Sequence, residues 1–159
     1  MAEDLLRILG TKDAVYKGLF PQIVALIGNE KNVIANLGNI CAALKEAFGF
    51  FWIGFYIVND GELVLGPFQG PVACTRIQKG KGVCGAAWAE EQTVLVPNVD
   101  LFAGHIACSS LSKSEIVVPL FKNGEVVGVL DVDSDKLEAF DQTDKQHLEK
   151  LCQWVSGLL

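Results

Sequence analysis

The hydrophobic positions of this chain open at helical period and then switch to that of strands. Over residues 13–27 and 32–48 they recur at helical spacing, as Val33, Leu37, Ile40, Cys41, Leu44 and Phe48 do, which predicts two amphipathic helices parted at Gly28-Asn29 and ended by Gly49. The period then falls to two. Residues 50–58 are rich in aromatic and β-branched side chains, Asp60-Gly61 is a hairpin signal, and 62–68 is a second strand-type run, so an antiparallel pair is expected. Further on the pattern predicts a short helix over 83–90, a strand over 93–96, an irregular stretch from 97 to 112, and a hairpin of 114–121 with 125–133 around Asn123-Gly124. A closing amphipathic helix over 141–158 turns Leu148, Leu151, Cys152 and Val155 inward, with Asp141 and Asp144 as its N-terminal signature. The sum is an α+β domain, a central antiparallel sheet flanked by helices from the N- and C-terminal segments. No linker, repeat or low-complexity tract interrupts it, so residues 1–159 read as one domain.

Strand parity divides the first strand into two faces. Phe51, Ile53, Phe55 and Ile57 form a wholly apolar face that belongs in a core. Trp52, Gly54, Tyr56 and Val58 form another, which carries a ring N–H, a phenol O–H and a gap. That second face is a candidate pocket wall.

Composition narrows the field. Half the 159 residues are hydrophobic and a fifth are charged, which excludes a disordered chain, and no apolar run is long enough for a membrane-spanning helix. Thirteen Lys and Arg against nineteen Asp and Glu give a net charge of −6, which opposes binding to nucleic acid. The opening MAEDLLRILG carries acidic residues where a signal peptide would be basic, so a cytoplasmic setting is expected. Five cysteines, an odd number, argue in the same direction and against a secreted disulfide framework.

Those cysteines are spaced 33, 10, 24 and 44 residues apart, with no CxxC and only two histidines, so no structural metal site and no cofactor is expected. Cys41 and Cys152 fall on inward helix faces and read as small hydrophobes. Cys74, Cys84 and Cys108 lie in the Gly-rich irregular middle of the chain, where a nucleophilic thiolate and a second thiol to resolve it would be found. A soft-metal site made of these three is a second rival reading. Gly80-Lys81-Gly82 lacks the context of a phosphate-binding loop.

Asp131 and Asp133, two apart at a strand end, project from the face carrying Val127 and Val129, where adjacent carboxylates raise each other's pKa and suit holding a proton or a cation. Glu115 joins them only in one register. A two-residue Asn123-Gly124 turn would turn it away, whereas a three-residue Lys122-Asn123-Gly124 loop sets it opposite Asp131, and the latter is expected. His105 reads as a stabiliser of its own loop rather than as a base.

Five segments taken in order are more specific than any one of them. LGPFQG from Leu65 with Cys74, GKGVCG from Gly80, FAGHIAC from Phe102, SEIVVP from Ser114 and GVLDVDS from Gly128 together resemble the free methionine-(R)-sulfoxide reductases, which are built on a GAF domain. Ala103 stands where that family often has Pro, and Ser109 where an acidic residue is usual. The resemblance implies Cys108 as nucleophile, Cys74 and Cys84 as resolving or recycling thiols, and Glu115, Asp131 and Asp133 as the acidic binding residues. Glu115 or Asp133 would be the proton donor, and Trp52 and Tyr56 would wall the methylthio end. The substrate's ammonium would meet Asp131 and its carboxylate the backbone N–H groups of the loop around Ile106 and Ala107. Free methionine sulfoxide, a dithiol reductant such as thioredoxin, and a second copy in a homodimer are the implied partners. The rival reading is a non-catalytic GAF sensor of a small ligand or of thiol state, for which 159 residues leave no room for an output domain.

Overall fold

A computed structural model describes residues 4–159, so the first three positions of the acidic N-terminal run lie outside the described residues. Two helices open the fold, α1 (Lys12–Ile27) and α2 (Val33–Phe48). Thr11 caps α1 by accepting from the Ala14 N–H, Asn32 caps α2 by accepting from that of Ala35, and Gly49 ends α2 in the left-handed conformation that suits a residue without a Cβ. The strands are β1 (Trp52–Asn59), β2 (Glu62–Gln69), β3 (Arg76–Gln78), β4 (Val94–Val96), β5 (Ser114–Lys122) and β6 (Glu125–Ser134). They form one antiparallel sheet in the order β3-β2-β1-β6-β5-β4. A short helix α3 (Gly82–Glu90) joins β3 to β4, and α4 (Gln142–Ser156) closes the chain behind a capping box of Asp141 and Asp144. Strand β3 has no counterpart in the periodicity, because three residues are too few to display one.

Alternation along the strands sorts the apolar residues into two cores. Ile53 and Phe55 of β1, Ile116 and Val118 of β5, and Leu130 and Val132 of β6 pack under α1, α2 and α4. Trp52, Tyr56, Val117 and Val129 face the other way, under α3 and the loops. Leu148, Leu151, Cys152 and Val155 are all buried on the inward side of α4, and Cys41 is buried on α2, as their spacing implied. Phe51 departs from parity: it precedes the first ladder residue and packs with the second cluster.

The β5–β6 register corrects the sequence expectation. Lys122 pairs with Glu125, so the hairpin closes through the two residues Asn123 and Gly124, both at positive φ (53° and 79°), the turn whose twist matches that of the strands. Such a turn alone would send Glu115 to the helix face. A bulge one residue beyond it reverses the outcome: Phe121 pairs with Val126 but Leu120 with Gly128, so Val127 is an extra residue. Beyond the bulge Glu115 stands opposite Asp133, with Val117 opposite Asp131. Val127 itself is carried off the carboxylate face and packs against the helix-side core.

Candidate active site

A cavity of about 550 Å³, open mouth included, lies on the sheet face away from the three long helices. Trp52 and Tyr56 reach it from β1, Glu115 from β5, Asp131 and Asp133 from β6, Cys84 from the first turn of α3, and Cys108 from the loop after Phe102. These residues come from five segments of the chain, brought together because pleating points alternate residues of three strands at the same space.

The aromatic wall is built around a missing side chain. A Cβ on Gly54 would lie 2.3 Å from Trp52 Cη2 and 2.5 Å from Phe68 Cβ, so the gap noted between Trp52 and Tyr56 is filled by the Trp52 ring itself. The ring stacks with Phe68 at 5.4 Å and with Tyr56 at 6.1 Å between centroids. The polar ends of both rings hold the segment carrying Cys74: Trp52 Nε1 donates to the Pro71 carbonyl at 3.0 Å, and the Tyr56 hydroxyl to that of Cys74 at 2.9 Å.

At the mouth, Cys74 and Cys108 form a disulfide whose Cα atoms are 5.5 Å apart. Cys108 lies in an exposed loop position and Cys74 is partly buried, whereas Cys84 is a buried free thiol. Burial pushes the Cys84 thiol well above its ordinary value, and the neighbouring Asp131 and Glu115 charges add to the rise, so it stays protonated. It is therefore a poor nucleophile.

The acidic floor is governed by the same desolvation. Burial raises Glu115 well above the usual carboxylate range, with the Asp131 and Asp133 charges adding to it. Burial likewise raises Asp131, helped by the Asp133 charge, while Cys84 and Glu115 act in the opposite direction as hydrogen-bonding neighbours. Asp133, partly buried, is pushed up to about 6 by desolvation against the Ser112 hydroxyl, which donates to its Oδ1. Asp131 Oδ1 is buried with no hydrogen-bond partner. The floor thus stores protons and leaves one carboxylate oxygen bare, an arrangement suited to protonating a ligand oxygen and to receiving a cationic group.

The loop over 104–108 shares its backbone groups unevenly. The His105 N–H donates to Phe102 O and the Cys108 N–H to Ile106 O, while those of Ile106 and Ala107 have no intramolecular partner among the described residues. Ile106 lines the cavity, but Ala107 is exposed and lies outside its lining. The His105 ring does not brace its loop: its Nε2 lies 3.7 Å from Glu115 Oε2, and burial lowers its pKa, which keeps the imidazole neutral. Sequence reasoning missed that contact and the Ser112–Asp133 bond, because residues of an irregular loop carry no period that would aim them. Among the described residues the donors that could hold a metal ion are Cys84, Glu115 and Asp131, not the three cysteines as a set, since two of those are joined to each other.

An antiparallel sheet with helices on one face and a small-molecule cavity under loops on the other defines the class: residues 32–157 match the GAF domain family. The chain is 61% identical over 99% of its length to GAF domain-containing protein A of Dictyostelium discoideum, which it covers completely. It is 44% identical to the free methionine-R-sulfoxide reductase of Escherichia coli, over 93% of this chain and 90% of that one. The crystal structure of the Neisseria meningitidis free methionine-R-sulfoxide reductase in complex with its substrate superposes with a TM-score of 0.96 at 52% identity, covering 99% of this chain and 95% of the other. The chain belongs to the GAF-domain family, among the free methionine-R-sulfoxide reductases.

Proposed function

We propose that this chain reduces free methionine-R-sulfoxide to methionine, with Cys108 as nucleophile and Cys74 as the thiol that resolves it. The observation that carries the reading is the Cys74–Cys108 disulfide at the mouth of an acidic, aromatic-walled cavity. A sensor that only binds a ligand has no use for a reversible bond at that place.

The Cys108 thiolate attacks the sulfoxide sulfur, and the sulfoxide oxygen takes a proton from Glu115 or Asp133. Methionine leaves, and the oxygen stays on Cys108 as a sulfenic acid. Cys74 then attacks that sulfur, water departs, and the disulfide forms. An external dithiol such as thioredoxin restores both thiols by exchange. Cys84 takes no part in the first disulfide, since its thiolate is suppressed by burial.

Recognition uses both charges of the free amino acid. The bare Asp131 Oδ1 accepts from the ammonium group, the unpartnered Ile106 N–H donates to the carboxylate, and the methylthio end packs against Trp52 and Tyr56. A peptide-bound residue offers neither charge and is excluded. A homodimer working in the cytoplasm, where thiols are kept reduced, completes the reading.

The purified protein should consume the R-epimer of free methionine sulfoxide with a dithiol and leave the S-epimer alone. Cys108→Ser should be inactive, and Cys74→Ser should release one methionine per chain and then stall with thioredoxin. Undiminished turnover in Cys108→Ser would reject the nucleophile.

A further inference from the structure

The cavity floor brings together three donors that the reduction does not use as a set. Cys84 Sγ, a carboxylate oxygen of Glu115 and one of Asp131 all lie within 4.8 Å of one another. They come from α3, β5 and β6, and the three residues are 3%, 6% and 7% exposed. Asp131 Oδ1 is the one buried side-chain oxygen or nitrogen left without a hydrogen-bond partner among the described residues. Burying an acceptor without a partner is unfavourable, so this oxygen is held ready for a ligand.

We propose that Cys84, Glu115 and Asp131 form an inhibitory cation site, at which a borderline-soft divalent ion of the Zn²⁺ class binds and shuts the substrate out. The donor set selects the class. One thiolate with two carboxylates suits Zn²⁺, whereas Mg²⁺ and Ca²⁺ prefer oxygen alone, and Cu⁺ prefers several sulfurs. Three protein ligands leave a fourth position toward the cavity for water, as in open zinc sites. A tetrahedral ion with sulfur at about 2.3 Å and oxygen at about 2.1 Å sets its ligands roughly 3.5 Å apart, so the set closes by about 1 Å.

Binding exchanges protons for the ion. The buried thiol and carboxyls give up the protons that burial makes them keep, and the ion takes over their neutralisation. Neither disulfide cysteine belongs to the set, so the oxidised protein binds the ion with Cys74 and Cys108 locked together. Asp131 is shared with the proposed ammonium contact, so the ion and the substrate exclude each other; that clause alone rests on the reductase reading.

Co²⁺ titrated into the oxidised protein tests the site without turnover. One equivalent should bind with a sulfur-to-cobalt charge-transfer band, and free methionine sulfoxide should displace it. Cys84→Ala should lose the band, and Asp131→Asn, which keeps the thiol, should weaken binding at least tenfold. In the reduced enzyme Zn²⁺ should raise KM in proportion to its free concentration and leave kcat unchanged. No band in the wild type, or an equal band in Cys84→Ala, overturns the site. An equal affinity in Asp131→Asn overturns it as well, and a band that the substrate leaves in place overturns the inhibitory role. A wild type that binds Co²⁺ this way yet reduces no methionine sulfoxide would refute the reductase reading and uphold the metal site.

Discussion

Asp131 and Asp133 are the same side chain two residues apart on β6, and their surroundings give them different work. Asp131 is buried in the cavity floor with one oxygen bare, while Asp133 is only partly buried and accepts from Ser112. Burial holds Asp133 at about 6 in the folded chain, above the roughly 3.9 of an unfolded aspartate. A carboxyl whose folded pKa is raised favours folding while protonated, so its contribution is fully present below about pH 4 and is lost as pH rises through about 6. The shift of about two units corresponds to roughly 3 kcal/mol at most. Asp133→Asn should therefore be more stable than the wild type by roughly 1–3 kcal/mol at pH 7.5 and equal to it at pH 4, while its turnover falls at least tenfold. Urea unfolding at the two pH values measures this, and a difference that does not change with pH would refute it. At this scale the strand residues were legible, because parity along β6 pairs the aspartates. Ser112 and the His105 ring were not, since only the path of an irregular loop aims them.

Among the elements, β1 shows how a side chain is placed by the absence of another. Gly54 leaves the space over which the Trp52 ring lies, and that ring both walls the cavity and holds the Pro71 carbonyl. Gly54→Ala should drive the ring outward, destabilise the fold by about 1–3 kcal/mol and raise KM at least tenfold. It should also slow formation of the Cys74–Cys108 disulfide, which stopped-flow tryptophan fluorescence and thiol quenching can follow. An unchanged KM would mean that the ring is not part of the substrate wall. The β5–β6 hairpin carries the complementary lesson. The hairpin was legible in Asn123-Gly124, but its two-residue turn was passed over for a three-residue loop because the bulge at Val127 was not legible: one extra residue among consecutive valines leaves the alternation looking intact. Without that bulge the two-residue turn would have put Glu115 in the wrong core.

For the molecule as a whole, the sheet separates stability from chemistry. On the helix side a polar cluster ties the two ends of the chain together: Asp144, fully buried, accepts from the Tyr16 hydroxyl at 2.8 Å, pairs with Lys12 at 2.5 Å, and accepts from the Asp141 N–H at 2.8 Å. Removing the carboxylate strands the phenol and leaves the Lys12 ammonium with only Asp141 and the Ala139 carbonyl. Asp144→Ala should cost about 2–4 kcal/mol in urea unfolding. It should leave kcat of the folded fraction unchanged, because the cavity lies across the sheet. A drop in kcat at full folding would show that the two faces are coupled.

The chain's own pattern determined the two opening helices, the two hairpins, the closing helix with its cap, the inward cysteines Cys41 and Cys152, and the thiol-rich middle, because each of these is written in local spacing. Tertiary structure alone decided which thiol meets Cys108, which face Glu115 takes, and that Cys84 sits with carboxylates instead of with the other two cysteines. Those outcomes depend on residues separated by tens of positions, and on one bulge whose effect on parity appears only when two strands are laid side by side.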